Sequence, residues 1–239
     1  MKILAIETSG QAGSVAVLEG GFVLRERLLP PTERSATTLT PAIRDILAEV
    51  EWNTSDVRLI AVTIGPGSFT GLRVGVTTAK TLAYALSAEV IGVGTLDVIA
   101  AQSGAVAGPI SVCLDAQRQQ VFVCEFLHGA AGLRAVGPPA ILDNDAWIAG
   151  LKAGMAVTGP ALEKLASQIP SNPIVVHTDR WSPKAATVGQ VGWGRYQAGQ
   201  RDDLRQLVPL YFRLSAAEEK LAARSATTAL GAADTNPKR

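Results

Sequence analysis

The sequence is poor in the residue types that build disulfide frameworks and metal centres. Its 239 residues include only two cysteines, Cys113 and Cys124, and only two histidines, His128 and His177. Two cysteines exclude a disulfide framework and a four-thiolate site, and two histidines so far apart exclude a His-x-x-x-His zinc motif. We therefore expect neither a bound metal nor a cofactor.

Charge and long apolar runs are also scarce. Charged residues make up 18% of the chain and the formal net charge is +1, without the basic excess of proteins that hold nucleic acid by bulk charge. No run approaches the roughly 18 apolar residues of a membrane span, and Glu7 ends the first apolar run too early for a secretory signal. We expect a cytoplasmic protein without membrane contact, which meets any RNA only locally or through a partner.

The hydrophobic pattern of the first half predicts three strands followed by alternating helices and strands. The chain is 47% hydrophobic and long enough to bury a substantial core. Thr40 before Pro41 is typical of a helix N-cap followed by proline at the first helical position, although the helix could start up to one turn earlier. The predicted elements are strands 2–8, 14–18 and 22–29, a helix from about 40 to 50, a strand 58–64, a helix 70–86, a strand 89–93 and a helix 95–102.

The second half repeats this order. The apolar segment from Ile110 to Asp115 leads through a turn into a strand from Gln120 to Phe126, as the first strand leads through its turn into the second. Shorter helix and strand signals follow, and the chain ends in a stretch of Ala, Ser, Thr and charge. We predict an α/β protein made of two copies of one βββαβαβα fold with a cleft between them: domains 1–105 and 106–214, and a variable tail 215–239.

A glycine-rich turn from Gly65 to Gly71 lies between a predicted strand and a predicted helix. It lacks the lysine and the spacing of a phosphate-binding P-loop, and it does not fit Gly-x-Gly-x-x-Gly. Its backbone amides could face an anion at the helix N-terminus. The favoured interpretation is that the glycines permit a sharp turn and close packing.

The helix after this turn carries small residues at every fourth position. Such a stripe allows a second backbone to approach closely, either another chain or the domain's own sheet, and the sequence does not apportion its residues between the two. We predict that this helix and the preceding one form a four-helix surface with a partner or a second copy. The predicted interface residues are Leu39, Ile43, Ile46, Leu47, Gly71, Leu72, Gly75, Val76, Ala79 and Ala83.

Polar residues end the first strand of each half. Glu7, Thr8 and Ser9 follow the first strand, and Asp115 ends its counterpart, so all four are predicted at the cleft. They could be the remnant of a nucleotide site, but a turn carboxylate is the favoured interpretation for Glu7. No nucleophile and base form a recognisable pair, so no catalytic residue is predicted.

Several segments together resemble the TsaB family. They are 3–9, 14–17, 65–75, 92–96, 114–118 and 209–213, with the Gly-Pro-Gly-Ser-Phe-Thr-Gly block as the most specific. The resemblance covers about residues 1–214. It implies the fold of actin, Hsp70 and sugar kinases (the ASKHA type, related to ribonuclease H) with two related domains.

The resemblance also implies a function. Proteins of this family pair with the catalytic subunit TsaD and, together with the ATPase TsaE, support N6-threonylcarbamoylation of adenosine 37 in tRNAs that read ANN codons. The chain is thus expected to be a non-catalytic scaffold that meets tRNA only through the complex, with a homodimer also possible. The alternative is an independent enzyme, either a sugar-kinase-like phosphotransferase or a metallopeptidase.

One position departs from the family pattern. Family members commonly carry a histidine just before the first helix, and this chain has Ser35 there. The departure concerns the role of that histidine and not the fold.

Overall fold

The computed structural model describes residues 1–32, 35–129 and 132–212, and these form two mixed β-sheets with six α-helices. The predicted tail, residues 215–239, lies outside the described residues. No helix of the described part is long and apolar enough to cross a membrane.

The first half begins with a three-strand antiparallel meander. The order along the chain confirms the predicted βββαβαβα arrangement. Its elements are β1 (Lys2–Glu7), β2 (Ser14–Glu19), β3 (Phe22–Leu28), α1 (Ser35–Glu49), β4 (Leu59–Gly65), α2 (Phe69–Leu86), β5 (Glu89–Gly94) and α3 (Thr95–Gln102).

Most elements of the second half are shorter than their counterparts in the first. Pro138 and Pro139 divide its third strand in two, and both pieces pair with its second strand. The elements are β6 (Ile110–Asp115), β7 (Gln120–Gly129), β8 (Gly132–Ala135), β9 (Ala140–Asp143), α4 (Asn144–Gly150), β10 (Ala156–Thr158), α5 (Leu162–Leu165), β11 (Ile174–Val175) and α6 (Ala185–Gln197).

The two sheets share one topology, which confirms the predicted duplication. The first has the order β3-β2-β1-β4-β5, and the second has β8-β7-β6-β10-β11, with parallel and antiparallel pairs in the same places. A Gly-Pro dipeptide ends the fourth strand of each half, Gly65-Pro66 and Gly159-Pro160, and both glycines have a φ of +123°. The repeated Gly-Pro dipeptide is therefore a further sign of the duplication in the sequence. The prediction above relied only on the order of the strands.

The last helix of each half packs on the sheet of the other half. Leu96 and Ile99 of α3 join the core around β6, whereas Ala185 and Val188 of α6 join the core against β1, β2 and β4. Val98 of α3 also packs against the first sheet, so α3 ties the two sheets together while α6 crosses to the first one.

The glycines of α6 have different surroundings. A Cβ on Gly189 would overlap the side chain of Leu18, and one on Gly192 would lie 2.7 Å from the Cβ of Ala61. These two glycines bring α6 close to the first sheet. Gly194 has no neighbour within 4 Å of its Cβ position, so it alone of the three weakens the helix without a packing role.

Helix α1 starts earlier than the sequence predicted. It begins at Ser35, more than one turn before Thr40, and Pro41 lies inside it. Proline removes one helix hydrogen bond, a loss that costs least where the helix faces solvent, and Pro41 is exposed. The inward side of α1, with Leu39 and Ile43, is buried on the first sheet, and this burial extends the helix past the proline. Ser35, at the family histidine position, lies in this helix.

Candidate functional site

Helices α1 and α2 lie on one face of the first sheet, and all ten residues predicted for a partner interface are buried within the chain. Leu39, Ile46 and Leu72 are at most 1% exposed. The stripe of Gly71, Gly75, Ala79 and Ala83 faces inward. The small residues therefore belong to the chain's own core, because they bring α2 close to β4 and to the turn after β1. A partner could not contact these ten residues directly. It could reach only the opposite, exposed faces of the two helices.

The outer faces of α1 and α2 carry mostly small and polar side chains, with a few charged ones among them. On α1 the exposed residues include Thr40, Pro41 and Arg44. On α2 they include Thr77, Thr81 and Tyr84, and Tyr84 is 81% exposed. An exposed tyrosine among short side chains is the type of surface that another helix pair can cover closely. We call these six residues the outer helix face.

The glycine-rich turn packs on the end of the first strand. A Cβ on Gly71 would overlap the carbonyl oxygen of Thr8, and one on Gly67 would lie 2.5 Å from the carbonyl oxygen of Ser9. The amide of Ser68 donates to that same Ser9 carbonyl at 2.8 Å. The protein's own backbone thus fills the space beside these glycines, in agreement with the packing interpretation of the turn.

The structure places Glu7 entirely inside the protein at the end of β1. Its Oε1 accepts hydrogen bonds from the amide of Ser9 at 2.6 Å, from the Ser9 hydroxyl, and from the amide of Gly10 at 3.3 Å. Its Oε2 is buried and has no hydrogen-bond partner. Burial raises the pKa of Glu7 to about 7, and the hydrogen bonds from Ser9 and Gly10 oppose this rise.

The side chain of Thr8, next to Glu7, faces α2 and not the turn 7–10. Its Oγ1 is buried without a hydrogen-bond partner and occupies the position that a Cβ on Gly75 would take. Its amide donates to Thr63 Oγ1 at 3.3 Å. Thr8 therefore packs between β1 and α2.

Asp115 occupies the equivalent position at the end of β6 but in different surroundings. Its carboxylate is 40% exposed, pairs with Lys164 Nζ at 2.6 Å and accepts from the Gln117 amide at 2.7 Å. Partial burial raises the pKa of Asp115, but the hydrogen bonds from Lys164 and Gln117 outweigh this and lower it overall. Within residues 1–32, 35–129 and 132–212, no cluster of three or more His, Cys, Asp or Glu side chains could hold a metal ion.

The segment between α6 and Phe212 crosses the glycine-rich turn, and the predictions from sequence gave it no structural role. The Leu210 amide donates to the Ile64 carbonyl at 2.7 Å, and Arg73 Nε donates to the Tyr211 hydroxyl at 2.9 Å. The Arg73 guanidinium also lies 3.9 Å from the centre of the Phe69 ring. The Pro-Leu-Tyr-Phe-Arg motif marks this segment in the sequence. The segment packs against the outer side of the first turns of α2 and holds them in place.

The fold is of the actin, Hsp70 and sugar-kinase type. Three features define it: two sheets with the same topology, a last helix in each half that packs on the other sheet, and Glu7 and Asp115 at corresponding strand ends. The activator of 2-hydroxyisocaproyl-CoA dehydratase from Clostridium difficile, solved with bound ADPNP, shares this fold with a TM-score of 0.52 at 9% identity, over 88% of this chain and 100% of that one. At this identity the likeness concerns the fold alone.

Closer relatives define the family. The family model "TsaD: tRNA N6-adenosine threonylcarbamoyltransferase" matches residues 31–221. The tRNA threonylcarbamoyladenosine biosynthesis protein TsaB of Bacillus subtilis is 29% identical over 92% of this chain and 97% of its own length. The structure of YeaZ from Pseudomonas aeruginosa superposes with a TM-score of 0.76 at 27% identity, over 88% of this chain and 99% of that one. The chain belongs to the TsaB family of tRNA threonylcarbamoyladenosine biosynthesis proteins, within the larger group that the TsaD model describes.

Proposed function

We propose that this chain is a non-catalytic subunit that pairs with a TsaD-type catalytic chain through its outer helix face, and so supports threonylcarbamoylation of adenosine in tRNA. Membership of the TsaB family supports the reaction. The outer helix face supports the pairing, and it is the observation that carries the proposal. A TsaE-type ATPase and tRNA would join through the complex in the cytoplasm, and a homodimer would use the same face.

The strand ends support a non-catalytic role. In Glu7, one carboxyl oxygen is occupied by its own turn and the other is enclosed by protein. The carboxylate of Asp115 is paired with Lys164. The glycine-rich turn is filled by the backbone of Thr8 and Ser9, which leaves no cradle for a phosphate between the turn and β1.

Arginine substitutions on the outer helix face test the pairing. Thr77→Arg and Thr81→Arg each add a long charged side chain at an exposed position, so the melting temperature should change little. Binding to the TsaD-type chain should weaken at least tenfold, because an unpaired charge must be desolvated in the contact. Ala149→Arg, on exposed α4 of the second half, is the matched control and should bind like the parent. Unchanged affinity in both threonine variants would contradict this interface.

Reconstitution tests the non-catalytic role. The purified chain with threonylcarbamoyl-adenylate and tRNA should modify nothing, and addition of the TsaD-type chain should restore modification, more weakly with Thr77→Arg. Turnover by the chain alone would instead support the independent-enzyme alternative. Tight binding of ATP and Mg²⁺ by the isolated chain would point to the phosphotransferase form of that alternative.

A further inference from the structure

The turn from Glu7 to Gly10 is physically joined to the start of helix α2. The carbonyl of Ser9 accepts from the amide of Ser68 at 2.8 Å. Ser68 is the N-cap of α2, and its hydroxyl accepts from the Gly71 amide at 3.2 Å. The turn is therefore joined by a direct hydrogen bond to the N-cap of the helix that carries half of the outer helix face.

Glu7 holds this turn closed through one of its two carboxyl oxygens. Oε1 accepts from both donors of Ser9 and from the Gly10 amide, whereas Oε2 is enclosed without any donor. An ionised carboxylate distributes its charge over both oxygens, so a buried oxygen without a donor is costly for the ionised form. A neutral carboxyl has no such charge to solvate.

The groups around Glu7 are neutral. Ser14 of β2 is its cross-strand partner, and the Thr63 hydroxyl of β4 accepts from the amide of the neighbouring Thr8 at 3.3 Å. A Cβ on Gly10 would lie 3.6 Å from Oε2 and 3.8 Å from Pro183, which closes the far side of the turn. Burial and hydrogen bonds alone account for the pKa of about 7, with no charged side chain among its causes. The protonation state of Glu7 therefore changes near neutral pH without a compensating partner.

We propose that Glu7 is a proton-dependent switch for the start of α2. When Glu7 is protonated, the turn 7–10 stays closed against Ser68. When Glu7 is ionised, the turn opens to let water reach Oε2, and the first turn of α2 loosens with it. The consequence for partner binding rests on the proposed function, whereas the opening of the turn does not.

Hydrogen exchange on the full chain alone tests the switch. With a pKa of about 7 in the closed turn and an ordinary value in the open one, linkage gives roughly a tenfold increase in the open fraction between pH 6 and pH 8. After correction for intrinsic exchange rates, the amides of Ser9, Gly10 and Ser68 should lose about that much protection. The amides of Val112 and Cys124, paired between β6 and β7, should stay far more protected than the turn at both pH values. Equal protection of the turn at both pH values would overturn the proposal.

Two variants assign the effect to Glu7. Glu7→Gln cannot ionise, so the pH dependence of exchange in the turn should disappear. Ser9→Ala removes one donor to the carboxylate and should move the midpoint of the transition to higher pH, which keeps the test decisive if the glutamine variant does not fold. A pH dependence that persists unchanged in both variants would assign the opening to another group.

The effect on the proposed complex is measured separately. Affinity for the TsaD-type chain should be lower at pH 8 than at pH 6 in the parent, beyond the change seen with Glu7→Gln. Absence of any binding would refute the proposed function and leave the exchange result standing. Binding without a Glu7-dependent change, with exchange as expected, would show that the loosened turn does not reach the partner surface.

Discussion

Gly71→Ala tests the close approach of helix α2 to the end of β1. Two opposing terms set the outcome. Alanine stabilises a helix relative to glycine by at most about 1 kcal/mol. Against this, the new Cβ would lie well within 3.0 Å of the carbonyl oxygen of Thr8. That oxygen belongs to backbone and cannot rotate away, so the overpacking cost lies near the upper end of the usual range, at about 3 kcal/mol.

The expected result is a net loss of about 2 kcal/mol in the free energy of unfolding of Gly71→Ala, which for a chain of this length lowers the melting temperature by roughly 4–8 °C. Gly194→Ala is the matched control, since nothing lies within 4 Å of the Cβ position there. It should gain roughly 0.5–1 kcal/mol. Urea unfolding followed by circular dichroism measures both differences.

The contrast between the two variants decides the matter. If Gly71→Ala were as stable as Gly194→Ala, the space beside Gly71 would be open, and the glycine-rich turn could be available to a ligand. The assignment of the small-residue stripe to the core would then fail together with the argument that protein backbone fills the phosphate position. A loss in both variants would instead indicate that the helix-propensity term has been misjudged.

Two further predictions concern the strand-end carboxyls. Burial raises the pKa of Glu7 from an ordinary 4.5 to about 7, so its contribution to stability is fully present below pH 4.5 and is lost as pH rises through 7. Relative to Glu7→Gln, the parent should lose up to about 3 kcal/mol in the free energy of unfolding over that window. Parallel curves of stability against pH for the two proteins would contradict this. Lys164→Met removes the exposed ion pair with Asp115 and should leave the midpoint of urea unfolding almost unchanged, because solvent screens an exposed pair. A clear shift of the midpoint to lower urea would show that the pair has a structural role beyond surface charge.

Much of the secondary structure could be predicted because it depends on local chemistry. The helix Thr95–Gln102 and the strand Ile110–Asp115 occur with the predicted bounds, since apolar spacing and turn residues define them within a few positions. The start of α1 was not predictable in this way. Thr40 and Pro41 form a good local start signal, but burial of Leu39 on the sheet favours a helix that continues through the proline.

The candidate site shows the same division. The sequence predicted that Glu7 and Asp115 end corresponding strands, and the duplicated topology confirms it. It could not predict that one carboxyl is enclosed and the other is paired with Lys164, because Lys164 and residues that help to enclose Glu7, such as Pro183, are distant in the chain.

By itself, the sequence determined the family, the element order and the duplication, because these are recorded in motifs and in the alternation of apolar and polar residues. Only the tertiary structure decided which way each helix faces and which half it covers. The small residues of α2 suited a partner and the chain's own sheet equally well, and α6 follows the second half in sequence but packs on the first sheet. A periodic pattern defines an apolar face but not the surface that covers it, since that depends on contacts between residues far apart in the chain.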